Sequence, residues 1–367
     1  MPESSIKPPK RVLFGPGPGM VEPRVYGALS QPVVGHLDPY FFEVVNDVRG
    51  MLRKAFGTSN ELTLAVSGTG SSGMETAVGN FVEPGSKLAV FANGYFCDRI
   101  TEMGCRQGAN VVRLEKPWGE IFSADEAAEF IDREKPQVVA FVHAETSSGA
   151  LQPAKPICDA ARACDAIVIA DTVTSLGAVP VEVDANGIDV AYSCTQKGLS
   201  CPPGLAPITV SPRALERLRA RKTRVHEWYL DLKLLQEYYD GRKYHHTASA
   251  SLFYALCEGL RAIMDEGLEN RFARHARVHK TFVRAVGEIG MGMHVPEPNR
   301  IPHLNTPLVP AGVDDAKVRK QLLEKHGIEI AGGFGPLAGK VFRIGVMGPL
   351  ATEDNVQLLV SALREAM

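Results

Sequence analysis

Lys197 follows a continuous apolar run, Ile188-Asp-Val-Ala-Tyr192, and precedes a loop rich in Gly and Pro that ends at Gly204. An ammonium at the mouth of a buried strand is costly unless its amine is used. Desolvation or a nearby cation makes the neutral amine accessible, which suits Schiff-base chemistry. A solvated loop lysine is the alternative. Asp171 closes a second apolar run, Ala166-Ile-Val-Ile-Ala170. In open α/β sheets ligands bind at the carboxyl ends of the strands. A buried carboxylate there needs a cationic partner to stay ionised, and a protonated pyridine nitrogen is such a partner. An N-cap for a following helix is the competing role.

Ser67-Gly68-Thr69-Gly70-Ser71-Ser72-Gly73 follows a strand pattern and opens a helical one. Its glycines permit a tight turn, and the free N–H groups of the helix start attract a phosphate. The hydroxyls of Thr69, Ser71 and Ser72 add donors. The same glycines fit G-x-G-x-x-G, a dinucleotide signature. Against that, the motif is not in the first strand–helix–strand unit. The next strand also ends in Ala92-Asn93-Gly94, without a ribose-binding carboxylate. Three further strand ends carry candidates. Tyr95 and Phe96 supply an aromatic pair, with a core position as the alternative for Phe96. Thr146 lies in a hydroxyl cluster, His143 to Gly149. Arg343 sits inside Val341-Phe-Arg-Ile-Gly345, where a buried guanidinium requires an anion. A bound carboxylate and an internal ion pair both satisfy that need.

The elements that must position these groups are legible as runs. Strands are predicted at Leu62–Val66, Lys87–Ala92, Val138–His143, Ala166–Ala170, Ile188–Tyr192 and Ala206–Val210. They are continuous rather than alternating, as in strands covered on both faces. Helical patterns such as Gly73–Phe81 and Ala124–Arg133 separate them. The alternation predicts an α/β fold with a mostly parallel sheet and helices on both faces. Long helices over Ala248–Glu266 and Glu269–Ile289 mark a change of pattern. The expected organisation is an N-terminal arm (1–10), a large domain (11–265) and a smaller C-terminal α/β domain (266–367).

Composition excludes several classes. The chain has 367 residues, a net charge of −2 and 22% charged residues, so it carries no electrostatic footprint for nucleic acid or an anionic membrane. The basic run from Arg213 to Arg224 reads as a solvated helix face. No apolar run approaches membrane-spanning length. The seven cysteines form no C-x-x-C pair, and no cluster has metal-site spacing. The start lacks a signal-peptide core and the end lacks a peroxisomal tripeptide, so a cytoplasmic location is expected.

A phosphate cup, an aromatic stack, an Asp for a pyridinium, a Schiff-base Lys and an Arg for a carboxylate form the inventory of a pyridoxal-phosphate enzyme acting on α-amino acids. In order and spacing the chain resembles the alanine–glyoxylate and serine–pyruvate aminotransferases, the class-V branch of the fold-type-I enzymes. The marks are Gly15-Pro-Gly-Pro18, Ser67-Gly-Thr-Gly70, Ala92-Asn-Gly94, Glu145-Thr-Ser-Ser-Gly149, Ala170-Asp171-Thr-Val173, Ser193-Cys-Thr-Gln-Lys197, Tyr244-His-His-Thr247, Gly332-Gly-Phe-Gly335 and Phe342-Arg343-Ile-Gly345. They run from about Leu13 to the C-terminus.

The resemblance implies a role for each matching residue. Lys197 would be the Schiff-base lysine, later moving a proton between the substrate Cα and the cofactor C4′. Asp171 would hold the ring nitrogen protonated. Val173 and Phe96 would pack on opposite ring faces, and Thr146 would reach the 3-hydroxyl side. Thr69, Gly70, Ser71 and Gln196 would hold the phosphate. Tyr244 and Thr247 would reach the phosphate in a neighbouring subunit, which implies a homodimer with shared sites. Arg343 would bind the substrate carboxylate, with Thr146 and Tyr95 beside the substrate. The best-known relatives carry Trp, Ser and His where this chain has Phe96, Thr146 and Ser71. The implied reaction is a ping-pong transfer between a small amino acid, alanine or serine, and a small 2-oxo acid, glyoxylate or pyruvate. A lyase or desulfurase on the same scaffold is an alternative, although the last cysteine, Cys257, falls in a helical pattern. A nicotinamide-dependent oxidoreductase is a second, and it leaves Lys197, Asp171 and Arg343 without roles.

Overall fold

The seven strands of the main sheet run β1 (Leu62–Ser67), β2 (Lys87–Ala92), β3 (Asn110–Glu115), β4 (Val138–Val142), β5 (Ile167–Asp171), β6 (Val190–Tyr192) and β7 (Leu205–Val210). The structure, a computed structural model, describes residues 6–367. The first half of the expected N-terminal arm, residues 1–5, lies outside the described residues. The spatial order is β1-β7-β6-β5-β4-β2-β3. Neighbours from β6 to β3 are parallel, while β7 runs antiparallel to both β1 and β6. The sheet is therefore mixed and mostly parallel, with helices covering it, in an α/β arrangement.

All residues of β4, β5, β6 and β7 are buried. Their continuous apolar sequences follow from that cover on both faces. The predicted strands agree with the observed ones to within about two residues, the usual uncertainty of element ends. One strand was not predicted. β3 reads Asn-Val-Val-Arg-Leu-Glu and is partly exposed along its length. It is an edge strand paired only with β2, so it needs less apolar surface and admits Arg113.

Helix α1 (Gly70–Phe81) follows β1, and helix α2 (Tyr95–Arg106) follows β2. α1 lies close to the sheet at Gly73, where a Cβ would stand 3.2 Å from Ala206 Cβ and 3.3 Å from Tyr192 Cβ. The long helices are α3 (Ala250–Glu266) and α4 (Leu268–Gly287), separated by Gly267 at φ +81°. Positive φ is easy for glycine and breaks the helical path.

A large apolar core surrounds the main sheet and extends to Ile263 in α3. A second core gathers Val278 and Phe282 of α4, Phe342 and Ile344, and the terminal helix Glu353–Ala366. Phe14 joins this second core, and Val12–Leu13 pairs in parallel with Ile328–Glu329. Next to it lies a small antiparallel sheet of β8 (Leu304–Asn305), β9 (Ala331–Gly332) and β10 (Phe342–Gly345), in the order β8-β10-β9. β10 therefore brings Arg343 toward the main sheet from a different part of the chain.

Candidate active site

The carboxyl ends of β1, β2, β4, β5 and β6 face one edge of the main sheet. Asp171 ends β5, and the segments after the other four carry Thr69, Phe96, Thr146 and Lys197. These residues, with Gly70, Ser71, Val173, Gln196 and Arg343, bound one cavity of about 280 Å3. Pro16, Gly17, Met74 and Arg99 complete its wall. Three larger surface clefts, of about 470, 520 and 330 Å3, contain neither Lys197 nor Asp171.

Lys197 is 7% exposed. Its Nζ donates to Thr146 Oγ1 at 2.7 Å and to Thr174 Oγ1 at 3.0 Å. Burial lowers its pKa below the ordinary lysine value, with partial opposition from nearby acidic groups. That direction favours the neutral amine a nucleophile or base requires. The solvated-loop alternative for Lys197 is therefore excluded. Gly17 packs on its stem: a Cβ there would stand 3.0 Å from Lys197 Cγ and 3.1 Å from Cε. Gly19 N–H also donates to the Gln196 carbonyl at 2.9 Å. The Gly15–Gly19 loop is thus pressed against the lysine.

Asp171 is 2% exposed. Its Oδ1 accepts from Val173 N–H at 2.8 Å and its Oδ2 from the Tyr192 hydroxyl at 2.8 Å. Burial raises its pKa, and those two hydrogen bonds act in the opposite direction. The segment after Asp171 forms turns rather than a helix, so the N-cap alternative lacks its helix. Among the described residues no cation is bonded to the carboxylate, and Lys197 donates to two hydroxyls instead.

Arg343 Nε donates to the Gly332 carbonyl at 2.8 Å, and its guanidinium lies 4.3 Å from the Phe334 ring centre. Among the described residues it forms no ion pair, and the Glu145 carboxyl acts on it only at a distance. Of the two roles left open by sequence, the internal ion pair is thus absent. Burial brings its pKa down to about 10, still leaving it charged at neutral pH.

Phe96 faces the cavity with Lys197 Nζ 5.7 Å from its ring centre. Tyr95 does not line the cavity. Its ring packs edge-on against Phe96 at 5.6 Å and Phe334 at 4.9 Å, so it supports the wall from outside. Tyr244 is 62% exposed and Thr247 is exposed as well. Within one chain the structure does not bring either of them to the cavity.

Sequence reasoning assigned no role to Thr174, Tyr192, Glu145 or Arg99. Glu145 carried a readable signal, a carboxylate at the end of an apolar strand, the same signal that marked Asp171. It is fully buried and accepts from Ser147 N–H at 2.8 Å, Ser147 Oγ at 2.6 Å and Phe96 N–H at 3.2 Å. Ser147 Oγ in turn accepts from Tyr95 N–H at 3.0 Å. Helix α2 has no cap from its own N-cap residue, Gly94, and this pair caps it instead. A Cβ on Gly94 would come within 2.2 Å of Glu145 Cγ. Burial raises the Glu145 pKa to about 7, against the pull of its Ser147 bonds.

The donor set suits a phosphorylated pyridine aldehyde. Asp171 offers a buried carboxylate for a ring cation. α1 begins without a side-chain cap, between the hydroxyls of Thr69 and Ser71. Gln196 lines the same cavity, and its side-chain amide N–H groups can donate into it. Uncapped helix N–H groups, hydroxyls and an amide are typical phosphate donors.

Residues 24–359 match the family model for class-V aminotransferases. The chain belongs to that family. It is 38% identical to an alanine–glyoxylate aminotransferase of Oryctolagus cuniculus over 100% of this chain and 95% of that protein. It is 37% identical to the (S)-ureidoglycine–glyoxylate transaminase of Bacillus subtilis, over 98% of this chain and 91% of that protein. The solved alanine–glyoxylate aminotransferase of Nostoc sp. superposes with a TM-score of 0.97 at 44% identity, covering 100% and 97% of the two chains. Class-V aminotransferases of this type depend on pyridoxal phosphate, and this chain is an aminotransferase of fold type I. The alternatives recede accordingly. Cys257, the last cysteine, is buried in α3 with its pKa raised to about 11 by burial, unlike a mobile catalytic thiol. The Gly68–Gly73 turn opens onto Lys197 and Asp171, which a nicotinamide enzyme would leave without roles.

Proposed function

We propose that this class-V aminotransferase moves an amino group from alanine or serine to glyoxylate or pyruvate. The observation that carries the reading is the unpaired Arg343 fork beside the Lys197–Asp171 pair in a cavity of only about 280 Å3. A small α-amino acid supplies one carboxylate for Arg343, with Lys197 close to its Cα.

Pyridoxal phosphate supplies, when bound, a cationic ring that takes up the electron pair released at the substrate Cα. The chain's own residues do the rest. Lys197 Nζ is the attachment point and then the base that removes the Cα proton, favoured in its neutral form by burial. Thr146 and Thr174 fix that amine. Asp171 supplies the negative charge that keeps the ring nitrogen protonated. Val173 and Phe96, which line the cavity, would pack against the ring. Thr69, Gly70, Ser71 and Gln196 hold the phosphate. Arg343 binds the substrate carboxylate, while Tyr95 props Phe96 and Phe334 around it.

The reading includes a homodimer in which Tyr244 and Thr247 of each subunit reach the other's cofactor. Exposed Tyr26, Tyr40, Trp228, Tyr229 and Tyr244 support an apolar contact surface. It also includes a division into a large and a small domain near 265, supported by the two separate cores. None of the seven cysteines is paired, which supports a reducing, cytoplasmic setting. Among the described residues no helix is long and apolar enough to cross a membrane.

A donor-by-acceptor screen tests the reading. Alanine, serine and (S)-ureidoglycine would be offered as donors, glyoxylate and pyruvate as acceptors. The readout is interconversion of the bound cofactor between its aldehyde and amine absorbance. Conversion by alanine or serine is expected. Conversion by neither removes the proposed substrate pair.

A further inference from the structure

Arg99 is the one cation in the cavity wall without a role so far. It is the fifth residue of α2, and its guanidinium lies 5.0 Å from the Tyr95 ring centre and 5.1 Å from that of Phe96. Its Nη1 donates to Ser71 Oγ at 3.3 Å. Ser71 is the second residue of α1. A cation at the start of a helix meets the positive end of the helix dipole, which is unfavourable. No carboxylate is bonded to it: among the described residues Arg99 forms no ion pair, and the Asp171 carboxyl acts on it only at a distance. The nearby acids on α2 are already engaged, Asp98 with Arg113 at 2.7 Å and Glu102 with Arg106 at 2.8 Å. Two positive features therefore face one space, each with unused donors. Ser71, Thr69 and Gln196, whose amide N–H groups can donate, border the same space.

We propose that Arg99 is a direct ligand of the cofactor's phosphate group, completing from α2 the cup that α1 begins. A phosphate monoester carries close to two negative charges at neutral pH. It would neutralise Arg99 and the α1 start together, and a guanidinium fork matches two phosphate oxygens. The contacts with both aromatic rings restrain the guanidinium, so less side-chain freedom is lost on binding. A second carboxylate on a dicarboxylic substrate has related chemistry, and the test separates the two sources.

This proposal rests on the pyridoxal-phosphate reading. The full-length protein, stripped of cofactor, would be titrated with pyridoxal 5′-phosphate and with pyridoxal, which lacks the phosphate. Binding is followed by absorbance for the parent, Arg99→Gln and Arg99→Lys. Arg99→Gln should weaken pyridoxal-phosphate binding about 10- to 100-fold, the scale of a lost charge-assisted hydrogen bond. Pyridoxal affinity should move less than about 3-fold, and Arg99→Lys should recover part of the loss. Inorganic phosphate should compete more weakly for the Gln variant. Equal weakening for both ligands would assign Arg99 to packing of the rings and overturn the proposal. Unchanged cofactor affinity with a raised KM for aspartate or glutamate alone would assign it to the substrate, and also overturn it. If the parent binds pyridoxal as tightly as its phosphate, the phosphate cup itself is wrong, a result distinct from an Arg99 failure.

Discussion

The two ends of the cavity are built differently. At the inner end, Asp171 and Lys197 are nearly inaccessible, and each polar atom is held by a partner: Tyr192 and Val173 for the carboxylate, Thr146 and Thr174 for the amine. At the outer end, Thr69 and Ser71 are exposed and Arg99 has a single long hydrogen bond, to Ser71. On our reading the inner end does proton chemistry, where an error in geometry is a direct loss of rate. Its geometry is fixed by the folded chain alone. On our reading the outer end takes an anion, and that ligand and a second subunit complete its donor set.

The comparison predicts that inner-end substitutions alter rate and outer-end ones alter affinity. Lys197→Ala should have the largest effect, a loss of about 10³–10⁴ in turnover, since it removes the base. Near-normal turnover would end the mechanism. Arg343→Ala should raise KM for alanine by the equivalent of roughly 2–5 kcal/mol, because a buried carboxylate is left unpaired. An unchanged KM would take Arg343 out of the site. Asp171→Asn should keep the cofactor bound and lower kcat by about 10²-fold, on the scale of losing one electrostatic stabiliser. Equal kcat would refute its role.

Glu145 sharpens the comparison by a route that is not catalytic. Its pKa in the folded chain, about 7, lies above the ordinary 4.5. The folded state therefore holds the proton more tightly. This stability is fully present below pH 4.5 and is lost as pH rises through about 7. The loss amounts to roughly 3 kcal/mol from the size of the shift. Glu145→Gln should flatten that part of the stability-against-pH curve measured by denaturant unfolding. Parallel curves for parent and variant would contradict it. The smallest effect is expected at the outer end. Tyr244→Phe should weaken cofactor retention by about 1 kcal/mol, one hydrogen bond, with kcat unchanged at saturating cofactor. A changed kcat at saturation would erase the distinction between the ends.

Part of the fold and of the site is legible in the residue order. The buried strands stand out as continuous apolar runs, because cover on both faces leaves no polar positions. Lys197 and Asp171 stand out because a charged group at the end of such a run needs a reason to be there. β3 does not, since an edge strand tolerates Arg113 and exposed ends. Arg99 gives no signal either. It sits on an amphipathic helix, and only the approach of α2 to the start of α1 sets it beside Ser71.

The sequence by itself determined the α/β fold and marked Asp171, Lys197 and Arg343 as charged groups in apolar runs at the sheet edge where ligands bind. These depend on residue type and on neighbours a few positions away. The tertiary structure decided the rest: that Arg343 lacks an internal ion pair, that Thr174 shares the lysine with Thr146, that Glu145 caps α2 from another strand. Each of those is a contact between segments distant in the chain, and local pattern carries no information about which distant groups meet.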